Sequence, residues 1–360
     1  MLVRRRASAQ SSPGFVLIAV LAVLVILSIL AASVGAITQR LRDQQLERQR
    51  RLRSEIAMTS TRATVLYLLT SQRMTFGGLT VDQRMVLSED ERADLQSGDT
   101  PVSYFPVGDE VPMDGSVRRG LAGTRFALQD DRGLLAVNWV PPLMLERYLS
   151  ADGGKPMPIA TMINLLKDYQ DADDLYRLNS AEREDYLKAN KPAPSNRSLV
   201  TPTELRRVIG WDKALAGVSD VELNDSLAVI RSAQINVNTA PARVLRSLPG
   251  IDKALATRII ALRSIRPFTS ESDFYQLAGA LPVDENLLSL YPMASGTLKL
   301  WSVDGGPVEV LHWTLTPRAD GGRPWREDYE FILPGDQTTT RGPARPVAAK
   351  VFAEPDAPSQ

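Results

Sequence analysis

The chain has 360 residues and carries 42 basic and 42 acidic side chains, so it has no net charge at neutral pH and lacks the global positive field of a nucleic-acid binder. It contains no cysteine, which excludes disulfides, thiolate metal sites and cysteine nucleophiles. Its single histidine, His312, sits in the alternating segment Val308 to Leu315 without partners for catalysis or zinc, and reads as an ordinary strand residue.

Three arginines, Arg4 to Arg6, are followed by no charged residue until Arg40. Phe15 to about Ile37 is apolar and long enough to cross a bilayer, which needs about 20 such residues, so a transmembrane helix is expected over 15–37. A plain signal anchor shares this run. Ala32 to Ala36 offer small residues for secretory cleavage, but the run exceeds the roughly 7–15 residues of a secretory signal. The apolar run opens at Ser12-Pro13-Gly14-Phe15-Val16, with the Gly before the helix rather than after it. That order resembles the type IV prepilin class, in which a dedicated peptidase cuts after the Gly on the cytoplasmic side and the helix is retained. The resemblance implies a leader over 1–14 and cleavage between Gly14 and Phe15. Arg4 to Arg6 favour an inside N-terminus. Arg40, Arg42, Arg48, Arg50, Arg51 and Arg53, diluted by Asp43 and Glu47, crowd the other side, so charge alone leaves orientation open.

The helix is expected to continue to about residue 72, because 38–72 contains no Pro or Gly, and to end near Gly77-Gly78. From there to Gly123 the chain reads as loops with weak helix or strand. Thr124 to Gln129 and Leu134 to Trp139 around Asp130-Asp131-Arg132-Gly133 read as a β-hairpin. From about Pro142 to Pro292 apolar spacing is helical, as in Ile159-Met162-Ile163-Leu165-Leu166 and Leu255-Ile259-Ile260-Leu262. Strands return at 297–303, 308–316 and 329–333, with turns at Gly305-Gly306-Pro307 and Gly321-Gly322. The order predicts an α+β fold in which a small antiparallel sheet, built from 73–141 and 293–333, is interrupted by an inserted all-helical domain over 142–292. The Pro-, Thr-, Arg- and Ala-rich tail over 334–360 is expected to be disordered.

Two motifs stand out in the helical block. Ile235-Asn236-Val237-Asn238-Thr239-Ala240-Pro241, then Leu248-Pro249-Gly250-Ile251, then Ala254 to Arg263, closing near Phe274, looks like a helix-hairpin-helix unit over about 235–275. Thr239 is expected to cap the first helix, with Pro241 in its first turn. DNA-binding hairpins of this type show Gly-apolar-Gly, whose amides grip a phosphate. Here Pro249 and Gly250 are followed by Asp252 at the second Gly position, where a carboxylate repels phosphate, so a packing role is favoured over nucleic acid. The second motif is acidic: Asp168-Tyr169-Gln170-Asp171-Ala172-Asp173-Asp174, then Asn179, Glu182 and Asp185. Counted from Asp171, an EF-hand fails at Leu175 and Tyr176, but Asp171, Asp173, Asp174 and Glu182 are candidate oxygen ligands for Ca²⁺.

The Gly14-Phe15 junction, the retained helix, Phe126 to Asn138, the 168–174 segment, Ser180-Ala181-Glu182 before Tyr186, Pro202-Thr203-Glu204-Leu205 and the Ile235 to Phe268 hairpin recur in this order in one family. The set resembles the protein K family of type II secretion minor pseudopilins over roughly residues 10–320. Most pilin-like proteins carry Glu at the fifth position after cleavage. Here it is Ala19, and the K family characteristically lacks that Glu. The resemblance implies an N-methylated, single-pass inner-membrane protein with a pilin-like C-terminal domain in the periplasm. Implied partners are the minor pseudopilins I and J, the major pseudopilin, the prepilin peptidase, the inner-membrane secretion platform and secreted cargo. The implied role is to cap the pseudopilus tip and help start its assembly. The alternative is a membrane-anchored helix-hairpin-helix DNA receptor of the competence type. No nucleophile–base set or phosphate loop supports an enzyme.

Overall fold

The computed structural model describes residues 13–82, 84–86, 103–151, 157–279, 284–317, 322–335, 344–347 and 349–352. The leader expected over 1–14 lies almost wholly outside them. Two compact units divide between Ile56 and Ala57.

The first unit is helical. Helix α1 runs from Pro13 to Ser71, and Pro13 at its start has the preset φ that suits a first helical position. Gly14, Phe15 and Ala19 lie in its first two turns. The apolar side chains from Leu17 to Ile37 are exposed, and the segment reaches a mean hydropathy of 3.0. Ser28, Ser33 and Thr38 return their hydroxyls to the carbonyls of Leu24, Ile29 and Val34 at 2.6–2.8 Å. These bonds satisfy the hydroxyls inside the helix itself, as an apolar surrounding requires.

In the second unit, the last turns of α1 bury Val65, Leu66, Leu68 and Leu69. The helix stops at Ser71, within a residue of the expected 72 and before Gly77-Gly78, which form the turn and second strand of a tight hairpin, β1 (Met74–Thr75) against β2 (Gly78–Leu79). Gly78 takes φ 127° beside the backbone of Val111, where a side chain has no room. The main sheet is antiparallel and holds β3 (Asp114–Arg119), β4 (Thr124–Asp130) and three later strands. β3 corrects the loop reading of 78–123: Asp-Gly-Ser-Val-Arg-Arg lacks alternation because it is a half-exposed edge strand.

The hairpin expected after β4 does not form. β4 is flanked on both sides, and a 3₁₀ turn at Asp131–Gly133 carries the chain off the sheet. β5 (Leu135–Ala136) then pairs in parallel with β6 (Leu227–Ala228). Between them run α2 (Pro142–Leu149), α3 (Ile159–Gln170), α4 (Arg183–Lys188), a 3₁₀ segment at Pro202–Arg207, α5 (Trp211–Ala214) and α6 (Asp220–Asn224). β7 (Ile235–Asn236), α7 (Ala242–Leu245), α8 (Lys253–Ile265), α9 (Glu271–Ala278) and β8 (Leu288–Ser289) follow, with β7 and β8 paired in parallel. This stretch has its own apolar core, centred on Trp211, Tyr148, Tyr169, Tyr186 and Phe274. It nonetheless belongs to the same compact unit as the sheet.

β9 (Ser295–Ser302), β10 (Val308–Leu315) and β11 (Trp325–Leu333) complete the sheet in the order β11-β10-β9-β4-β3. One face packs on the end of α1 through Phe126, Leu128, Leu298, Leu300 and Trp313. Part of the tail read as disordered is docked. Arg345 pairs with the outer edge of β3, and Phe352 stacks on Phe126 with ring centroids 5.5 Å apart. An aromatic residue supplied a contact that bulk composition hid.

Candidate functional site

The acidic motif folds into a cluster where α3 ends and α4 begins. Asp168 lies on the same face of α3 as Met162, Leu165 and Tyr169 and is fully buried. Glu182 is 1 % exposed, and carboxylate oxygens of Asp168, Asp171 and Glu182 lie within 4.8 Å of one another. Arg177 folds back over the group. Its side chain bonds Asp168 and Asp171, and its backbone N–H donates to Asp168 Oδ2 at 2.9 Å. Burial works to raise the pKa of Asp168, but these bonds hold it below its ordinary value. Glu182 has less help: its side chain faces the Asp185 N–H in the capping box that opens α4, but no donor makes a well-formed hydrogen bond to either of its oxygens or to Asp171 Oδ1. Burial and the surrounding Asp168, Asp171, Asp174 and Asp173 carboxylates push Glu182 up to about 7. Of the expected ligands, Asp171 and Glu182 are therefore brought together. Asp173 points out, accepting the Leu175 N–H at 2.9 Å, and Asp174 is exposed. Asp168 takes their place; a charge on the apolar face of a helix was the signal for it.

The 235–290 segment is held by its own polar side chains. Asn238 donates to the carbonyls of Phe268 and Leu290 and accepts the Phe268 N–H, all at 2.9–3.0 Å. Arg263, its side chain 5 % exposed, donates to the carbonyls of Val237 and Ala240. Thr239 does not cap α7, as the sequence suggested. Pro241 is the cap residue, and the Thr239 hydroxyl is drawn away to Asp130 at 2.8 Å. Pro249-Gly250 makes the turn, with Gly250 in the left-handed region at φ 78°. Asp252 then caps α8, its Oδ1 accepting the Leu255 N–H at 2.8 Å. The carboxylate occupies an amide that a phosphate would need. Arg243 is paired with Glu222 at 2.7 Å and lies over the Tyr148 ring, and Arg258 donates to the Leu277 carbonyl.

A third constellation was not foreseen. His312 lies on β10, as expected, but it is held, 13 % exposed, between two carboxylates: Nε2 is 2.9 Å from Asp131 and Nδ1 is 2.8 Å from Asp328. Asp328 is the extra residue of a bulge in β11, since His312 faces Tyr329 and Trp313 faces Glu327. Asp130, next to Asp131, joins β4 to Asn236, Thr239 and Met293. The two aspartates thus tie the points where the helical stretch leaves and rejoins the sheet.

Residues 235–290 match the family model for protein K of the type II secretion system. No curated protein sequence matches the chain. A solved crystal structure, that of the GspK-GspI-GspJ complex of the enterotoxigenic Escherichia coli Type 2 Secretion System, contains a chain of which 99 % is covered by 82 % of this one, at 17 % identity and a TM-score of 0.48. That likeness is too loose to transfer a role. Residues 235–290 are thus the part of the chain that is similar to protein K of the type II secretion system.

Proposed function

We propose that the chain is a minor pseudopilin that caps the tip of a short periplasmic pseudopilus and helps start its assembly. The carrying observation is the protein K match over 235–290, on a chain that opens with Gly14-Phe15 and one uninterrupted apolar helix. In this reading α1 anchors the protein in the inner membrane and the C-terminal unit faces the periplasm. The partners are the I and J minor pseudopilins, the major pseudopilin and the secretion platform, and the role is assembly rather than catalysis. Ala19 supports the cap. Without a carboxylate at that position the subunit cannot neutralise the terminal amine of a neighbour stacked above it. Coexpressed with the prepilin peptidase, the membrane-extracted protein should begin at Phe15, N-methylated, and should copurify with I and J. An intact Met1 terminus, or no retention of either partner, would sink this reading. The capped Leu255 amide and the internally paired Arg243 and Arg258 weigh against the DNA-receptor alternative.

The acidic cluster is proposed as a Ca²⁺ site. Asp168, Asp171 and Glu182 supply only oxygen, which suits a hard cation, and the buried oxygens of Glu182 have no other counter-charge. Calcium added to metal-free protein should raise its melting temperature by several degrees, because the ion binds the folded state alone. Glu182→Gln should abolish the shift while melting no lower than metal-free wild type. A calcium-insensitive wild type would return the cluster to an ion-paired turn.

A further inference from the structure

Six arginines follow the apolar run within a single stretch of α1: Arg40, Arg42, Arg48, Arg50, Arg51 and Arg53. All are exposed. Of these six, within the described residues, Arg51 alone has an ion-pair partner, Glu47 at 3.3 Å, and that pair is itself exposed and weak. Resting on the reading of α1 as a membrane anchor, we propose that Arg40 and Arg42 form a collar that binds anionic phospholipid headgroups where the helix leaves the bilayer, with Arg48 to Arg53 strengthening the local field.

Position and angle both carry this. A helix rises about 1.5 Å per residue, so Arg40 and Arg42 stand about 4.5 and 7.5 Å beyond Ile37. The headgroup layer on each side of a bilayer is about 5–7 Å deep, which puts both guanidinium groups within reach of it. At about 100° per residue, Arg40 and Arg42 point to nearly opposite sides of the helix, and Arg51 and Arg53 repeat the two directions. A single protein partner meets one face of a helix. Lipid headgroups surround it and answer charge on opposite sides at once. The guanidinium fork also matches phosphate oxygens in pairs. Arg48 to Arg53 lie about 16–24 Å past Ile37, beyond direct contact but near enough to add long-range attraction at low salt.

The test uses the full chain in nanodiscs containing phosphatidylglycerol and phosphatidylcholine, with retained lipids weighed by native mass spectrometry. Wild type should retain phosphatidylglycerol over phosphatidylcholine, and the double variant Arg40→Gln/Arg42→Gln should lose roughly fivefold of that preference per arginine. The N-terminal arginines are unchanged in both, so the difference reads only the far side of the span. An equal preference in wild type and variant would overturn the proposal. So would a variant that keeps its lipid preference but no longer copurifies with a pseudopilin partner, because the arginines would then serve an acidic protein surface. Failure of both proteins to enter the disc would instead overturn the anchor reading.

Discussion

Replacing Asp131 with alanine should lower the stability of the folded protein by about 1–3 kcal/mol, the cost of leaving one nitrogen of His312 and the Ser295 hydroxyl without their shared acceptor while Asp328 still pairs the ring. Asp131 is 1 % exposed, and its Oδ2 receives both His312 and the Ser295 hydroxyl. The second imidazole nitrogen faces Asp328, so both nitrogens donate and the ring is an imidazolium. Burial works against that charge, but the Asp131 and Asp328 carboxylates carry the pKa of His312 up to about 9. Burial likewise opposes the charge on Asp328, yet the bonds from His312, Thr314 and Arg326 hold it well below the carboxylate range. Because the folded pKa of His312 lies above its ordinary value, the folded state keeps a proton that the unfolded chain releases. The resulting stability, roughly 3 kcal/mol, is complete below about pH 6.5 and is lost as pH rises through about 9. Urea unfolding of the detergent-solubilised protein at pH 6.5 and 9.5 should show the loss, and His312→Gln should remove this dependence. An unchanged slope in that variant would assign the dependence to other groups.

Asp130→Ala should cost about 3 kcal/mol or more, by leaving four donors in a buried space without their acceptor. Those donors are the N–H groups of Met293 and Arg132, Asn236 Nδ2 and the Thr239 hydroxyl, all at 2.8–3.1 Å. Burial raises the Asp130 pKa to about 6, with the four hydrogen bonds opposing it. A carboxyl raised in the folded state binds its proton more tightly there than in the unfolded chain. Its contribution therefore falls as pH rises from about 4 to about 6, opposite in sign to an ordinary salt-bridged carboxylate. Thermal melts across that range should lose this component in Asp130→Asn. Limited proteolysis of Asp130→Ala should open the chain near 131–134 and 290–295. Cleavage confined to other loops would mean that these connections are held by other contacts.

Much of this was legible in sequence because it is periodic or compositional. The apolar run, helices within the block read over 142–292, and the strands read at 297–303 and 308–316, which fold as β9 and β10, follow from side-chain pattern, whereas the short strands β6, β7 and β8 inside that block do not. What escaped were features set by partners far away in the chain. β3 is a strand because β4 lies beside it, and β4 cannot start a hairpin because β9 already occupies its other side. His312 gained its carboxylates from a bulge at Asp328, which has no local signature, and from the Asp131 turn, which is legible as a turn but carries no sign that β10 lies against it. The acidic run was legible as a cluster, but which members turn inward depended on the apolar face of α3, so Asp168 entered and Asp173 and Asp174 stayed outside.

The pairing of β4 with β9 also sets a schedule. Asp130 must wait for Gly296, and every residue between them has to be synthesised before the two central strands can meet. Closing so long a loop is slow from a disordered chain and faster when the intervening segment is already compact. The apolar core around Trp211 is made entirely of residues between those strands, so it can collapse first and bring the strand ends together. A chain that stops short of Ser295 would retain that core and the β3 pairing yet leave the β9-facing edge of β4 open, the state in which a strand is most apt to pair with a stranger.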